Sequence, residues 1–219
     1  FTSRPSFRCH SIVDERSAAY VAMGMAKALR EPVVVLTTSG TAVMNLAPAV
    51  AEAFNQQLPL VLLTADRPPE PIRQFNNQRI DQVAPFYNHT KGFFDMPMEP
   101  RSDDEVIRAV AAVGQLIRES TIFPRGPVHI NVPLLEPLYA SLPGPLFTEQ
   151  IRSAIPDTRS DPPFAAPPEL QGDKKILVLA GMEAYEPESV SLLSAWCRHP
   201  RRAVVAENQR VSLPGAPRA

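Results

Sequence analysis

Two apolar runs limit what this chain can become more than any other feature: Pro32-Val33-Val34-Val35-Leu36 and the stretch from Leu58 to Thr64. Apolar residues without polar alternation suit strands buried on both faces of a parallel sheet; a strand with one wet face would alternate. Parallel neighbours need a crossover between them, and Met44 to Phe54 is read as the crossover helix. Ser17 to Leu29 precedes the first run as another helix, since Ala18, Val21, Ala22, Met25 and Leu29 recur at spacings of three and four. Gly24 inside that helix marks a close backbone contact. Phe7 to Ile12 reads as a short strand. The order strand, helix, strand, helix, strand predicts an α/β fold with a parallel sheet, helices on both faces and right-handed crossovers.

Beyond Thr64 the pattern loosens. In Ala65-Asp66-Arg67-Pro68-Pro69-Glu70 each proline biases its predecessor to extended backbone, which excludes a helix. The segment to about Pro100 is a long excursion of the kind that carries function or moves. Asp103 to Glu119 is an amphipathic helix opened by Ser102, and Gly126 to Pro133 is the strand that closes the domain. Frequent prolines from Pro133 to Pro168 read as a semi-rigid linker. Lys174 to Ala180, Pro187 to Arg198 and Ala203 to Ala206 then read as strand, helix and strand. The expected organisation is an α/β domain over 1–133, a Pro-rich linker over 134–172 and the incomplete start of a second α/β domain over 173–219. The start at Phe1 without a methionine and the loop-like end Leu213-Pro214-Gly215-Ala216-Pro217-Arg218-Ala219 suggest a fragment.

Composition narrows the function class. A hydrophobic content of 44% with 21% charged residues fits a soluble globular protein, and a net charge of −1 gives no footprint for nucleic acid or an anionic membrane. No apolar run approaches the roughly 18 residues of a membrane span, and no signal peptide is read. Cys9 and Cys197 lie too far apart in sequence for a metal cluster or a disulfide framework, so a reducing cytoplasm is expected. The four histidines, His10, His89, His129 and His199, show no metal-ligand spacing; His129 is read as a core residue of its strand. There is no serine or cysteine nucleophile elbow.

Three stretches are candidates for chemistry. Asp14 and Glu15 stand at the junction of the first strand and first helix. Either they serve the helix start, where negative charge is favourable, or Glu15 hydrogen-bonds a ligand at the sheet edge, where open α/β sheets bind ligands. Thr38-Ser39-Gly40-Thr41-Ala42 follows a buried strand and opens a helix, so its amides can hold an anion or a ring edge, or form an ordinary turn. It is neither a Gly-Lys-Ser/Thr phosphate loop nor a dinucleotide fingerprint. Arg67 comes just after the second apolar strand, with Asn77 and Gln78 on the loop beyond; either the three meet a substrate carboxylate, or Arg67 is a surface arginine beside a turn.

In order along the chain stand Asp14-Glu15-Arg16-Ser17-Ala18-Ala19, Thr38-Ser39-Gly40-Thr41-Ala42, Leu63-Thr64-Ala65-Asp66-Arg67-Pro68-Pro69-Glu70, Asn77-Gln78 with Ile80-Asp81-Gln82, and Gly126-Pro127-Val128-His129-Ile130-Asn131-Val132-Pro133. This set resembles the N-terminal pyrimidine-binding domain of the 2-succinyl-5-enolpyruvyl-6-hydroxy-3-cyclohexene-1-carboxylate (SEPHCHC) synthases, thiamine-diphosphate-dependent enzymes of menaquinone biosynthesis. Ala206-Glu207-Asn208 is similar to their middle domain. Acetolactate-synthase-like relatives usually carry Gly-Pro-Gly where this chain has Gly40-Thr41-Ala42.

The resemblance implies that Glu15 is the cofactor-activating glutamate. It hydrogen-bonds pyrimidine N1′ and favours the tautomer that takes the proton from thiazolium C2, a proton exchange that suits a partly desolvated carboxylate. It implies Ser39, Gly40 and Thr41 along the pyrimidine, and Arg67, Asn77 and Gln78 at the substrates. The implied reaction decarboxylates 2-oxoglutarate and adds the succinic semialdehyde unit to isochorismate. Two features depart from the family. Phe1-Thr2-Ser3-Arg4-Pro5 is not its Ser-Arg substrate loop. Nothing matches the Gly-Asp-Gly…Asn motif of its C-terminal domain, which anchors diphosphate through Mg²⁺ or Mn²⁺; Gly172-Asp173-Lys174 lacks context and partner. Because family sites form between domains of two subunits, the chain alone is expected to be inert and its parent a dimer or tetramer. The alternatives are another thiamine-diphosphate 2-oxo acid carboligase or decarboxylase, and a non-catalytic α/β module.

Overall fold

The two apolar runs form adjacent parallel strands, β1 (Val33–Thr37) and β2 (Leu60–Asp66), in register from Val33 opposite Leu60 to Thr37 opposite Thr64. The computed structural model describes residues 7–68, 78–135, 174–180 and 187–206, in two compact units divided at Thr158–Arg159. In the first unit two more strands, β3 (Phe93–Asp95) and β4 (Val128–Pro133), complete a parallel sheet of order β1-β2-β4-β3. The helices are α1 (Glu15–Leu29), α2 (Thr41–Met44), α3 (Ala47–Asn55) and α4 (Asp103–Thr121).

Strand β2 shows why its sequence does not alternate. Leu60 and Leu62 pack on one face with Ala19 and Ala22 of α1, Val50 of α3 and Val35. Val61 packs on the other face with Val128, Ile130 and Leu116 of α4. Helices cover both faces, so both sets of side chains leave water, each buried Leu or Val contributing about 1.5–3 kcal/mol. The same reading fails for β1. Val34 and Leu36 are 46% and 59% exposed, because α4 packs on β4, β3 and β2 and does not reach the outer strand.

Other expectations are corrected. Phe7 to Ile12 forms no strand. The helix expected over Met44 to Phe54 is two helices, since Pro48 has no N–H for a continuing ladder and sits instead in the first turn of α3. Gly24 makes no close contact: a Cβ there would meet nothing within 4 Å. The excursion after Thr64 contains a 3₁₀ turn, Tyr87–His89, and the strand β3; the closing strand β4 lies between β2 and β3.

Helix ends are specified locally. The Asp14 carboxylate accepts from Ser17 N–H at 2.7 Å and caps α1, and that bond holds Asp14 below its ordinary pKa. Ser102 caps α4 by accepting from Glu105 N–H, and three acids fill the first turn. At the other end of α4 the Lys91 ammonium donates to the carbonyls of Glu119 and Ile122; burial lowers its pKa.

In the second unit β5 (Ile176–Ala180) and β6 (Arg202–Ala206) pair in parallel across helix α5 (Pro187–Trp196). The Arg202 guanidinium lies 5.1 Å from the Trp196 ring centre. The expected linker, apart from Leu134 and Leu135, lies outside the described residues, as do Glu207 and Asn208.

Candidate functional site

The two readings of the acidic pair separate in the structure. Asp14 does the capping. Glu15, half-buried at the first position of α1, turns its carboxylate away from its own helix and accepts from the Asn45 side-chain amide at 3.2 Å. Asn45 is the residue after α2, so Glu15 is held at the end of the short helix that follows the β1–α2 turn, 30 residues along the chain.

That turn depends on Gly40, which is buried at φ 80° and ψ −138°, backbone open in practice to glycine. A Cβ at this position would lie 1.9 Å from the Gln78 carbonyl oxygen. Gly40→Ala is expected to destabilise the domain by at least about 1–3 kcal/mol, read from the urea midpoint of the full-length protein, because strain and clash add. Two of the turn amides are occupied within the domain. Gly40 N–H donates to Gln82 Oε1 at 2.6 Å and Thr41 N–H to the Gln78 carbonyl at 3.1 Å. Ser39 is half-buried and Thr41 exposed. One residue before the turn, Thr37 is 5% exposed on the α1 side of β1, and its hydroxyl has no partner.

Gln82, 2% exposed, leads from the turn into a buried polar network at the carboxyl ends of the strands. Its Nε2 donates to the Ala65 carbonyl and to Asn131 Oδ1, both at 3.0 Å. Asn131 Nδ2 donates to Asp66 at 2.8 Å and to Asp95 at 2.9 Å, and Asn131 Oδ1 also accepts from the Thr64 hydroxyl at 3.0 Å. Thr64 Oγ1 lies 2.8 Å from His129 Nε2. With the hydroxyl donating to Asn131, the hydrogen-bond pattern assigns Nε2 as the nitrogen on which a neutral His129 carries its proton. Burial lowers its pKa from 6.5 to about 4.

The expected residues therefore gather in two places. Ser39, Gly40 and Thr41 form the β1–α2 turn, on which the Gln78 backbone, at φ 60°, closes, and Glu15 meets Asn45 at the other end of α2. Arg67 instead lines a cavity of about 730 Å³ with Asp66, Arg79, Asp95, Met96 and Arg108, beneath α4. Gln82 is common to both, hydrogen-bonded to Gly40 and lining the cavity. Asn77 lies outside the described residues. Gln82, Asn131 and Asn45 were not singled out as site residues from the sequence. The signal for Asn131 was present, since His129 and Asn131 interrupt an apolar strand two positions apart and so share a face.

A parallel sheet with helices on both faces, a glutamate at a helix start and a glycine turn after a buried strand describe an α/β domain with a candidate ligand site at its sheet edge. Residues 1–84 match the family model described as "Thiamine pyrophosphate enzyme, N-terminal TPP binding domain". Those residues carry the N-terminal domain of the thiamine pyrophosphate enzymes. The chain is similar to proteins named 2-succinyl-5-enolpyruvyl-6-hydroxy-3-cyclohexene-1-carboxylate synthase. That of Desulfotalea psychrophila is 37% identical over 95% of this chain and 40% of its own length. The Cytophaga hutchinsonii protein is 35% identical over 88% of the chain and 35% of its own. The Listeria welshimeri protein is 46% identical over 61% of the chain and 23% of its own. The chain thus spans about two fifths or less of these relatives.

Proposed function

We propose that this chain is the N-terminal part of a thiamine-diphosphate-dependent transferase that decarboxylates 2-oxoglutarate and adds the succinic semialdehyde unit to isochorismate, a cytoplasmic step of menaquinone biosynthesis. The observation that carries the reading is Glu15: relieved of capping by Asp14, it is held by Asn45 at the end of the short helix that follows the Gly40 turn. A carboxylate placed there fits a ring nitrogen of the pyrimidine. The buried, unpartnered Thr37 hydroxyl just below the turn leaves a further polar group for a ligand. When bound, the cofactor supplies the carbon chemistry.

The chain's own residues have the remaining tasks. Glu15 exchanges a proton with the pyrimidine, Ser39, Gly40 and Thr41 line its edge, and Arg67, Asn77 and Gln78 meet substrate carboxylates and hydroxyl. Among the described residues no three His, Cys, Asp or Glu side chains are grouped to hold a metal ion. The diphosphate, with Mg²⁺ or Mn²⁺, is assigned to a C-terminal domain of a second subunit, in a dimer or tetramer. No described helix is long and apolar enough to cross a membrane.

The test is loss of isochorismate by the full-length protein with thiamine diphosphate and Mg²⁺. Loss that requires 2-oxoglutarate supports the proposal. Cofactor binding without that loss points to another 2-oxo acid, and absence of both favours a non-catalytic module. The purified 219-residue chain is expected to be inert, and turnover by it alone overturns the divided site.

A further inference from the structure

We infer that Gln82 is a positioning residue: its buried amide sets the conformation of the Gly40 turn that receives the cofactor and ties that turn to the strand ends leading to Arg67. The inference rests on the function proposed above.

The orientation of the amide is fixed by its neighbours. Oε1 faces an N–H, that of Gly40, and Nε2 faces two oxygens, Ala65 O and Asn131 Oδ1. A flipped amide would set donor against donor and acceptor against acceptor, so only one arrangement satisfies the site. Asn131 is fixed in the same way, its Nδ2 between the carboxylates of Asp66 and Asp95 and its Oδ1 between the donors Gln82 and Thr64. One chain of bonds therefore runs from the turn after β1 through Gln82 to the ends of β2, β4 and β3.

The turn needs such a tether. Gly40 has the widest backbone freedom of any residue type, and it adopts a conformation with little intrinsic preference. Two hydrogen bonds hold the turn from outside, Gly40 N–H to Gln82 and Thr41 N–H to Gln78. Gln78 has a positive φ of its own and is exposed, whereas Gln82 is 2% exposed and anchored at its other end by Ala65 and Asn131. Gln82 is thus the rigid member of the pair. Ala65 and Asp66 lead directly into Arg67, so the same amide sets the spacing between the turn and the cavity that Arg67 lines. A turn fixed before the ligand arrives needs no ordering on binding, and removing the tether shifts that ordering onto the binding step.

The experiment uses the full-length protein. Thiamine diphosphate affinity is measured by titration calorimetry for the wild type and for Gln82→Met, which keeps the side chain's length without its polar atoms. Hydrogen exchange over residues 38–46 is followed in both. The expected result is a rise of about ten-fold or more in Kd, one buried hydrogen bond's worth. Exchange at Gly40 and Thr41 accelerates with it. A residue important only for stability would lower the fraction folded and leave Kd unchanged; an unchanged Kd in folded Gln82→Met overturns the inference. If that variant does not fold, the wild type decides: a Gly40 amide that exchanges as fast as an exposed one overturns the inference, and a protected one supports it. A wild type that fails to bind thiamine diphosphate overturns the proposed function and this inference with it.

Discussion

Glu15→Gln in the full-length protein is expected to lower turnover by about 10²–10⁴-fold, the range for removing a positioned proton-exchanging group. Thiamine diphosphate should still bind. Glutamine has the shape of glutamate, and its amide oxygen can accept from Asn45 as the carboxylate does. The start of α1 is untouched, because Asp14 and not Glu15 accepts from Ser17. The fold should therefore be preserved, with a shift in urea midpoint within the roughly ±0.5 kcal/mol of a surface substitution. What the variant loses is the ability to take up and return a proton at that atom. Calorimetry for cofactor binding and steady-state turnover separate the two consequences. Bound cofactor with turnover reduced less than ten-fold would remove Glu15 from the chemistry and put the non-catalytic module forward.

How the site could be read from the sequence differs residue by residue. Glu15 and Gly40 were visible because each stands where a run of one period gives way to another, at a helix start or after a buried strand. The role of Glu15 stayed open because Asp14 and Glu15 are equivalent on paper; the geometry divides them. Gln82 gave no periodic signal. It sits in a polar stretch, where a glutamine looks like any solvated loop residue, and its burial depends on Gly40, 42 positions earlier, and Asn131, 49 positions later. Such separations leave no local trace.

The fold divides along similar lines. β2 and β4 were legible from apolar content, and α4 from its cap and its period. β3 was missed because three residues at a sheet edge are too few to show a period. Phe7 to Ile12 has the composition of a strand but does not form one, so composition alone does not make a strand. For β1 the sequence says apolar on both faces, and the structure leaves Val34 and Leu36 exposed because α4 stops short of it. Composition sets what a strand tolerates; the reach of neighbouring helices decides what is covered.

Acidification is expected to weaken the fold through His129. The ring is 1% exposed, wedged between Phe86 and Phe93 with centroid distances of 5.4 and 5.1 Å, and Nδ1 has no partner. Protonation would put a charge there with nothing to receive the new N–H, so burial depresses the pKa from 6.5 to about 4. The sign follows from proton uptake. Between those two values the unfolded chain binds a proton that the folded chain refuses, so stability is full above about pH 6.5 and falls as pH drops toward 4. Converted at 1.36 kcal/mol per unit, the loss amounts to about 3 kcal/mol. Urea unfolding of the wild type and of His129→Gln, between pH 7.5 and 4.5, checks it. Glutamine does not titrate, and its amide can still donate to Thr64. Asp66 and Asp95, on the far side of Asn131, are present in both proteins and are common to both sides of the comparison. The wild type should lose about 2–2.5 kcal/mol more than the variant over this range, most of the full difference. Parallel pH profiles would mean that His129 is protonated in the folded state, and that the Thr64–Asn131 network is arranged differently from the one assigned by its hydrogen bonds.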